Sequence, residues 1–154
     1  MSLEGIYKTD PIVIDPKRSA REAAEIMRDY HVGSLIVVSG GAGDERVAGI
    51  FTDRDLTREV VAMNVSSEDV IVEDVMMKHP ITVSEAQGVY ETIRIMENNG
   101  IKRVPVVDEQ GQLLGIVSAD DLLKVLAQEM TDLTNIMDRE VLREKLSSPG
   151  ERHV

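Results

Sequence analysis

The stretches GIFTDRDL (Gly49–Leu56) and GIVSADDL (Gly115–Leu122) decide the fold of this chain. Both consist of Gly-Ile, a hydrophobe, a hydroxyl residue, two variable residues and Asp-Leu. A repeat on this scale predicts two copies of one supersecondary unit, neither of which buries its apolar face alone. A site that uses the hydroxyl and the carboxylate is therefore expected in both copies.

The similarity continues upstream of both motifs. Pro11–Ile14 (PIVI) matches Pro80–Val83 (PITV). Between these matches and the GI motifs the alignment shifts, because the connection 39–45 in the first copy is longer than the connection 108–111 in the second. Both connections are rich in Gly, Asp and Glu, which is typical of β-hairpin loops.

Each unit is predicted to contain a strand, a helix, two strands and a helix, which is an α/β (α+β) architecture. The first comprises Ile12–Ile14, a helix Ala20–Tyr30 capped by Ser19, Ser34–Val38, Val47–Phe51 and Asp53–Met63. The second comprises Ile81–Val83, Gln87–Asn98, Val104–Val107, Leu113–Val117 and a helix from Ala119. Between them, Val72–Met76 is predicted as one helical turn. The predicted divisions are 1–65, 66–126 and 127–154.

The last helix is predicted to run to about Leu146, far beyond one small repeat. Its apolar stripe is spaced by three or four residues and consists of Leu122, Leu126, Met130, Leu133, Met137 and Val141. Two interpretations stay open: the helix lies along its own domain, or it contacts a second copy or another partner. Residues 147–154 are expected to fray.

Composition restricts the function classes. The 154 residues contain 17 Lys and Arg against 28 Asp and Glu, a net charge of −11 that disfavours nucleic acid and anionic membranes as partners. There is no cysteine and no apolar run long enough to span a bilayer, so a cytoplasmic protein is expected. Met1–Leu3 is given no structural role.

These residues resemble a known family. The repeated pattern, with Asp74-Val75-Met76 before Pro80–Val83 and Ile101–Asp108 as a central strand, resembles a tandem pair of CBS domains, or Bateman module. The resemblance covers about Asp10 to Val125. It implies two repeats packed around a pseudo-twofold axis, with two clefts between them. It also implies a regulatory, non-catalytic role and no obligatory cofactor.

The resemblance further implies an adenosine-containing ligand: an adenine nucleotide first, or S-adenosylmethionine or NAD. Asp55 and Asp121 would then bind the ribose hydroxyls. The phosphates would be bound by Thr52, Ser118, Lys102 and Arg103. The adenine slot would be lined by Ile12, Ile81, Val104 and Pro105. A homodimer and an unidentified protein target are the expected macromolecular partners.

The chemistry of the motif supports this hypothesis independently. An ionised Asp only accepts hydrogen bonds, so it suits a diol that offers two O–H donors. A hydroxyl at the start of a helix lies among unpaired N–H groups that favour phosphate. The alternative is a helix capping box, with the hydroxyl at the N-cap and the carboxylate three residues later. The two interpretations are compatible, since one Asp can cap the helix and bind ribose.

The two copies are predicted to be unequal. Gly33-Ser34 stands in the first repeat where the second has Lys102-Arg103. Arg54 could compensate in the first motif, and Asp120 adds negative charge in the second. We therefore expect unequal affinities, down to a single occupied site.

Other chemistries lack residues to support them. His31, His79 and His153 show no metal-ligand spacing, and the glycine-rich run 39–44 lacks the Lys-Ser/Thr of a P-loop. No Ser, Thr or Lys has a recognisable activating partner. The leading hypothesis is a ligand-sensing CBS pair. The alternative is a constitutive dimerisation or interaction module with degenerate clefts.

Overall fold

In a computed structural model that describes residues 1–147, the chain forms two matching α/β repeats and one long helix. The first repeat contains β1 (Val13–Ile14), α1 (Ala20–Tyr30), β2 (Ser34–Ser39), β3 (Arg46–Thr52) and α2 (Asp53–Leu56). The connection contains α3 (Val72–Val75) and β4 (Met77–Lys78). The second repeat contains β5 (Val83–Ser84), α4 (Val89–Asn99), β6 (Arg103–Val107), β7 (Leu113–Ser118) and α5 (Ala119–Ser147). The predicted fold class and the extended C-terminal helix are confirmed.

The two sheets have the same topology. In each, a short parallel strand flanks an antiparallel hairpin, in the order β1-β2-β3 and β5-β6-β7, and β4 adds a fourth strand to the first sheet. An irregularity in the hairpin pairing falls at Val37/Val38 in one repeat and at Val106/Val107 in the other. These positions match in the alignment that pairs Pro11–Ile14 with Pro80–Val83, so the sequence repeat is also a repeat of strand pairing.

Several element ends differ from the sequence prediction. Ile12 and Ile81 precede their strands, because only Val13 and Ile14, and likewise Val83 and Ser84, pair with a neighbour. Helix α4 begins at Val89 rather than Gln87, because Gly88 is its N-cap. Ser147 belongs to α5 rather than to a frayed tail. Residues 148–154 lie outside the described part of the chain.

The predicted helix Asp53–Met63 is not uniform. After α2, residues Thr57–Val61 form a π-helical turn, in which the Ala62 N–H donates to the Thr57 carbonyl at 2.9 Å. This wider turn places Val60 in the core of the first repeat. Asn64 then takes a left-handed conformation (φ 54°), and the helical segment ends.

The segment before each repeat pairs with the sheet of the other repeat. Strand β4, which precedes the second repeat, pairs with Gly49 and Ile50 of β3. Lys8, which precedes the first repeat, exchanges two backbone hydrogen bonds of 2.9 and 3.0 Å with Ile116 of β7. We call residues 1–8 and 70–78 the exchanged segments.

Each exchanged segment is anchored in a core. Leu3 is 0% exposed in the core of the second repeat, and Val72, its counterpart in the other exchanged segment, is 0% exposed in the core of the first. The hydroxyl of Tyr7 donates to Glu85 at 3.2 Å, and burial together with this bond raises the pKa of Tyr7. Met1–Leu3, to which the sequence prediction gave no role, is therefore an integral part of the fold.

Gly49 and Gly115 allow the exchanged segments to approach the sheets. A Cβ on Gly115 would overlap the Lys8 carbonyl oxygen and would lie 2.5 Å from Cδ2 of Tyr7. A Cβ on Gly49 would overlap the Met76 sulfur and would lie 2.7 Å from the Met77 carbonyl oxygen. Backbone atoms cannot rotate away, so packing accounts for the glycine that opens each sequence motif.

Among residues 1–147, no helix combines the length and apolar character needed to cross a membrane.

We predict that Gly115→Ala and Gly49→Ala each lower the free energy of unfolding by about 1–3 kcal/mol, the usual cost of overpacking. Gly41→Ala is the matched control, because its Cβ would meet no atom within 4 Å. Urea denaturation monitored by circular dichroism measures all three. Equal stabilities of the Gly115 and Gly41 variants would contradict the packing role.

Candidate functional site

Both GI motifs end in a closed capping box at the start of a helix. The Asp55 Oδ2 accepts from the Thr52 N–H at 2.8 Å and from its hydroxyl at 2.9 Å, and the Asp55 N–H donates back to Thr52 Oγ1 at 3.2 Å. In the second copy, Asp121 Oδ2 accepts from the Ser118 N–H at 3.1 Å and from its hydroxyl at 2.6 Å. The capping interpretation of the sequence is therefore correct for both motifs.

The capping boxes leave one carboxylate oxygen of each Asp available. Within residues 1–147, the hydrogen bonds accepted by Asp55 and Asp121 all go to Oδ2. A carboxylate has about four acceptor positions on its two oxygens. Each Asp can therefore cap its helix and still accept hydrogen bonds from a ligand.

The two helix starts are fixed to the strands in the same way. The Asp53 N–H donates to the Gly33 carbonyl at 3.0 Å, and the Ala119 N–H donates to the Lys102 carbonyl at 2.9 Å. This bond uses one of the free N–H groups of each helix start. It also holds Gly33 and Lys102 beside the motif of their own repeat.

A cavity between the repeats, which we call cavity A, has a volume of about 330 Å³. Ile12 and Ser34 line it from the first repeat, while Ser118 and Asp121 line it from the second. Arg103 also faces it. Cavity A thus lies between the segment that precedes β1 in the first repeat and the GI motif of the second.

The smaller cavity, cavity B, is the pseudo-symmetric counterpart and has a volume of about 190 Å³. Thr52 of the first repeat lines it, together with Ile81 and Lys102 of the second. Asp55 is half-buried and is not part of its wall. The two cavities adjoin, sharing Ser34, Ile36, Arg103 and Ile116.

The structure buries two of the residues predicted for the adenine slot. Val104 is fully buried in the core of the second repeat, and Pro105 is buried beside it on β6. Neither lines cavity A or cavity B. The apolar wall of cavity A comes instead from Ile12, Val32, Ile36 and Ile116.

Cavity A has more basic side chains than the sequence analysis identified. Lys8 of the exchanged segment and Lys124 of α5 join Arg103 on its wall. None of these three makes an ion pair within the described part of the chain, whereas Arg18, Arg21, Arg28 and Arg46 all do. Acidic residues also face cavity A: Asp10, Asp120 and Asp121.

The sequence contained a signal for Lys124 but not for Lys8. Lys124 stands three residues after Asp121, so both lie on one side of α5. Lys8 holds the same place in its exchanged segment as Met77, which lines cavity B, holds in the other. The alignment alone does not identify Lys8, because the position of Met77 at cavity B is known only from the structure.

The structure distributes the basic residues between the two sites differently from the sequence prediction. Arg103 and Gly33-Ser34 line the same cavity, A, rather than opposite ones. Lys102 lines cavity B. Arg103 also lines cavity B, so cavity B has both Lys102 and Arg103 on its wall, and cavity A has Arg103.

The histidines of residues 1–147 do not belong to a group of side chains that could hold a metal ion. His31 lines cavity A with a left-handed backbone (φ 54°), at the C-terminal end of α1. Across residues 1–147, no three His, Asp or Glu side chains are grouped to hold a metal ion. His153 lies outside those residues.

The family follows from a match across most of the chain. The CBS domain model matches residues 3–62 and again residues 72–128. The chain belongs to the CBS domain family. It carries two CBS domains in tandem.

The chain is similar to two relatives whose names call them uncharacterized. It is 38% identical over 125 residues to a protein of Methanopyrus kandleri, covering 81% of this chain and 62% of the relative. It is 35% identical over 121 residues to a 17.7 kDa protein of Acidianus ambivalens, covering 79% of this chain and 70% of the relative. The chain thus spans about three fifths of the first relative's length.

A solved structure shares the fold and contains ligands. The CBS domain pair of protein MJ0100, in complex with 5-methylthioadenosine and S-adenosyl-L-methionine, superposes with a TM-score of 0.72 at 26% identity. The match covers 84% of this chain and 98% of that chain. That protein therefore binds adenosine-containing small molecules.

We predict that Ser118→Ala lowers the free energy of unfolding by about 1 kcal/mol, as expected for loss of an N-cap side chain. The Asp121 N–H loses its acceptor, and the Asp121 carboxylate loses a hydroxyl donor. Thermal and urea unfolding measure the change. Ser39→Ala, at the exposed end of β2, is the control, and an equally stable Ser118→Ala variant would contradict the capping role.

Proposed function

We propose that cavity A binds an adenosine-containing ligand, with an adenine nucleotide preferred, and that the protein acts as a non-catalytic cytoplasmic regulator. The observation that carries this proposal is the position of Asp121. This residue lines cavity A together with Ile12 of the other repeat, and its capping bonds leave Oδ1 available within the described residues. The volume of about 330 Å³ falls within the usual range of about 300–1,000 Å³ for small-molecule sites.

The wall of cavity A suits the three parts of a nucleotide. Asp121 accepts hydrogen bonds from the ribose hydroxyls. The adenine ring packs on the apolar side chains of Ile12 and Ile36. The phosphates contact Arg103, whose planar guanidinium can hold two oxygens at once, with Lys8 and Lys124 adding positive charge.

The hydroxyl residues have a smaller part in this proposal than the sequence suggested. The Ser118 hydroxyl already donates to Asp121 at 2.6 Å, and the Thr52 hydroxyl donates to Asp55 at 2.9 Å. A phosphate oxygen would have to take the place of the carboxylate as acceptor. The three cations of cavity A, which form no ion pair within residues 1–147, are available without that exchange.

We infer that each chain binds one ligand. Cavity B, at about 190 Å³, is below the usual volume of a small-molecule site. Asp55 also lies away from its wall. Cavity B therefore lacks both the space and the ribose acceptor that cavity A provides.

The position of cavity A explains how binding would regulate. A ligand there contacts Ile12 in one repeat, Asp121 in the other and Lys8 in an exchanged segment. It can shift the arrangement of these parts only by binding one arrangement more tightly than another. We propose that this shift is transmitted through a homodimer or to a protein target.

Isothermal titration calorimetry tests the proposal with AMP, ADP, ATP, S-adenosylmethionine and NAD. We expect one ligand per chain for the preferred nucleotide, and at least a tenfold loss of affinity in Asp121→Asn, a loss equivalent to about 1.4 kcal/mol. The pseudo-symmetric Asp55→Asn is the matched control, and its affinity should stay unchanged. Arg103→Gln should weaken ATP binding more than adenosine binding.

Two results would contradict the ligand proposal. One is binding that Asp121→Asn and Asp55→Asn weaken equally, because the two cavities would then be equivalent. The other is the absence of binding or thermal stabilisation with every compound, since a ligand of the native state must raise its stability. Circular dichroism of each variant separates loss of binding from loss of folding.

A constitutive interaction module is the second candidate function. The observation that favours it is the exposed apolar stripe on the distal half of α5. A protein that associates with one fixed affinity, whether or not nucleotides are present, would support this candidate. Nucleotide-dependent association would support the ligand-sensing function.

A further inference from the structure

His31 ends α1 in a backbone conformation for which the second repeat uses glycine. His31 has φ 54° and ψ 43°, and Gly100, which ends α4, has φ 62° and ψ 33°. The two residues correspond in the alignment that pairs Pro11–Ile14 with Pro80–Val83. Glycine takes this left-handed conformation without the steric penalty that a Cβ brings. The first repeat therefore carries a side chain at a position that favours glycine.

The end of α1 does not use the imidazole of His31. In both repeats the backbone closes the helix end, because the Val32 N–H donates to the Met27 carbonyl at 3.0 Å and the Ile101 N–H donates to the Met96 carbonyl at 3.0 Å. His31 is exposed, and its imidazole makes no hydrogen bond or ion pair within residues 1–147. The hydrogen bonds of the helix end thus do not account for a histidine here.

The location of His31 on the wall of cavity A offers another reason for the side chain. A positive φ does not indicate a function by itself. Asn64 and His79 also have φ values of 54° and 53°, and neither lines cavity A or cavity B. His31 combines the disfavoured conformation with a place in the candidate site, and backbone strain that persists at a ligand site points to a functional side chain.

The other charged side chains on the wall of cavity A balance one another. Three are basic and three are acidic: Lys8, Arg103 and Lys124, with Asp10, Asp120 and Asp121. The wall is therefore neutral when the imidazole of His31 is neutral and carries one positive charge when it is protonated. Histidine is the side chain whose charge ordinarily changes between about pH 5 and 8. The protonation of His31 thus decides whether the wall of cavity A attracts an anion.

The carboxylates around the end of α1 do not form an ion pair with His31 within residues 1–147. Asp29, in the last turn of α1, pairs with Arg28 at 3.0 Å. Asp53 of α2 lies beside Gly33, where a Cβ would be 3.0 Å from the Asp53 Oδ2. The charge of a protonated His31 is therefore available to a ligand.

From these observations, we propose that His31 binds the ligand of cavity A and that its protonation strengthens nucleotide binding as the pH falls. This inference rests on the nucleotide site proposed above and adds a coupling between affinity and pH. The protonated imidazole donates a hydrogen bond to a phosphate oxygen, and this charge-assisted bond is stronger than one from the neutral ring. By linkage, a bound nucleotide favours the protonated form of His31 to the same extent.

Isothermal titration calorimetry with AMP, ADP and ATP at about pH 6 and about pH 8 tests the inference. For the nucleotide that binds most tightly, we expect the gain in affinity at the lower pH to be about five- to tenfold larger in the natural sequence than in His31→Asn. Asparagine tolerates the left-handed conformation, so the variant removes the titratable group and keeps the backbone. Both proteins receive the same nucleotide, so the titration of its free phosphates cancels in the comparison.

His79→Asn is the matched control, because His79 is also an exposed histidine with a left-handed backbone and lies outside the wall of cavity A. Its affinity at each pH should equal that of the natural sequence. The same pH dependence in the natural sequence and in His31→Asn would overturn the inference, while nucleotide binding itself would still support the proposed function. A natural protein that binds none of the nucleotides at either pH would overturn both.

His31→Gly separates binding from folding. Because glycine removes the steric penalty at this φ, the melting temperature measured by circular dichroism should stay unchanged or rise. The affinity for the nucleotide at about pH 6 should nevertheless fall at least about threefold. A lower melting temperature together with unchanged affinity would overturn the inference, because the imidazole would then serve the stability of the fold.

Discussion

The fold depends on the close approach of each exchanged segment to the sheet of the other repeat. Gly115 lies against Tyr7 and Lys8, and Gly49 lies against Met76 and Met77. A Cβ at either position would overlap its neighbours, which include backbone carbonyl oxygens that cannot rotate away. The two repeats are therefore held together by paired strands and by reciprocal anchors, Leu3 and Val72, as well as by their facing side chains.

The same exchange builds the candidate site. Lys8 reaches cavity A because residues 1–8 pair with β7, and Met77 reaches cavity B because β4 pairs with β3. Each cavity therefore contains residues from both repeats. A ligand in cavity A would join parts of the chain that are distant in sequence, which is the physical basis for the proposed regulation.

The two motifs illustrate how a structural role and a binding role can coexist. The Asp121 carboxylate closes a capping box through Oδ2 and keeps Oδ1 available within the described residues. Asp55 has the same local geometry but lies away from the wall of cavity B. Equal motifs thus have unequal surroundings, and the difference arises from the size and lining of each cavity rather than from the motif.

The sequence by itself determined the repeat, the order of its main elements, the start of the helix after each GI motif and the long final helix. These features follow from local spacing and capping residues. It also identified Ile12, Ser118, Asp121 and Arg103, which the structure brings to one cavity. The tertiary structure decided what local patterns do not encode. It placed Val104 and Pro105 in the interior, added Lys8 and Lys124 to cavity A, and gave Met1–Leu3 a role. These outcomes depend on packing between residues far apart in the chain, which local sequence patterns do not specify.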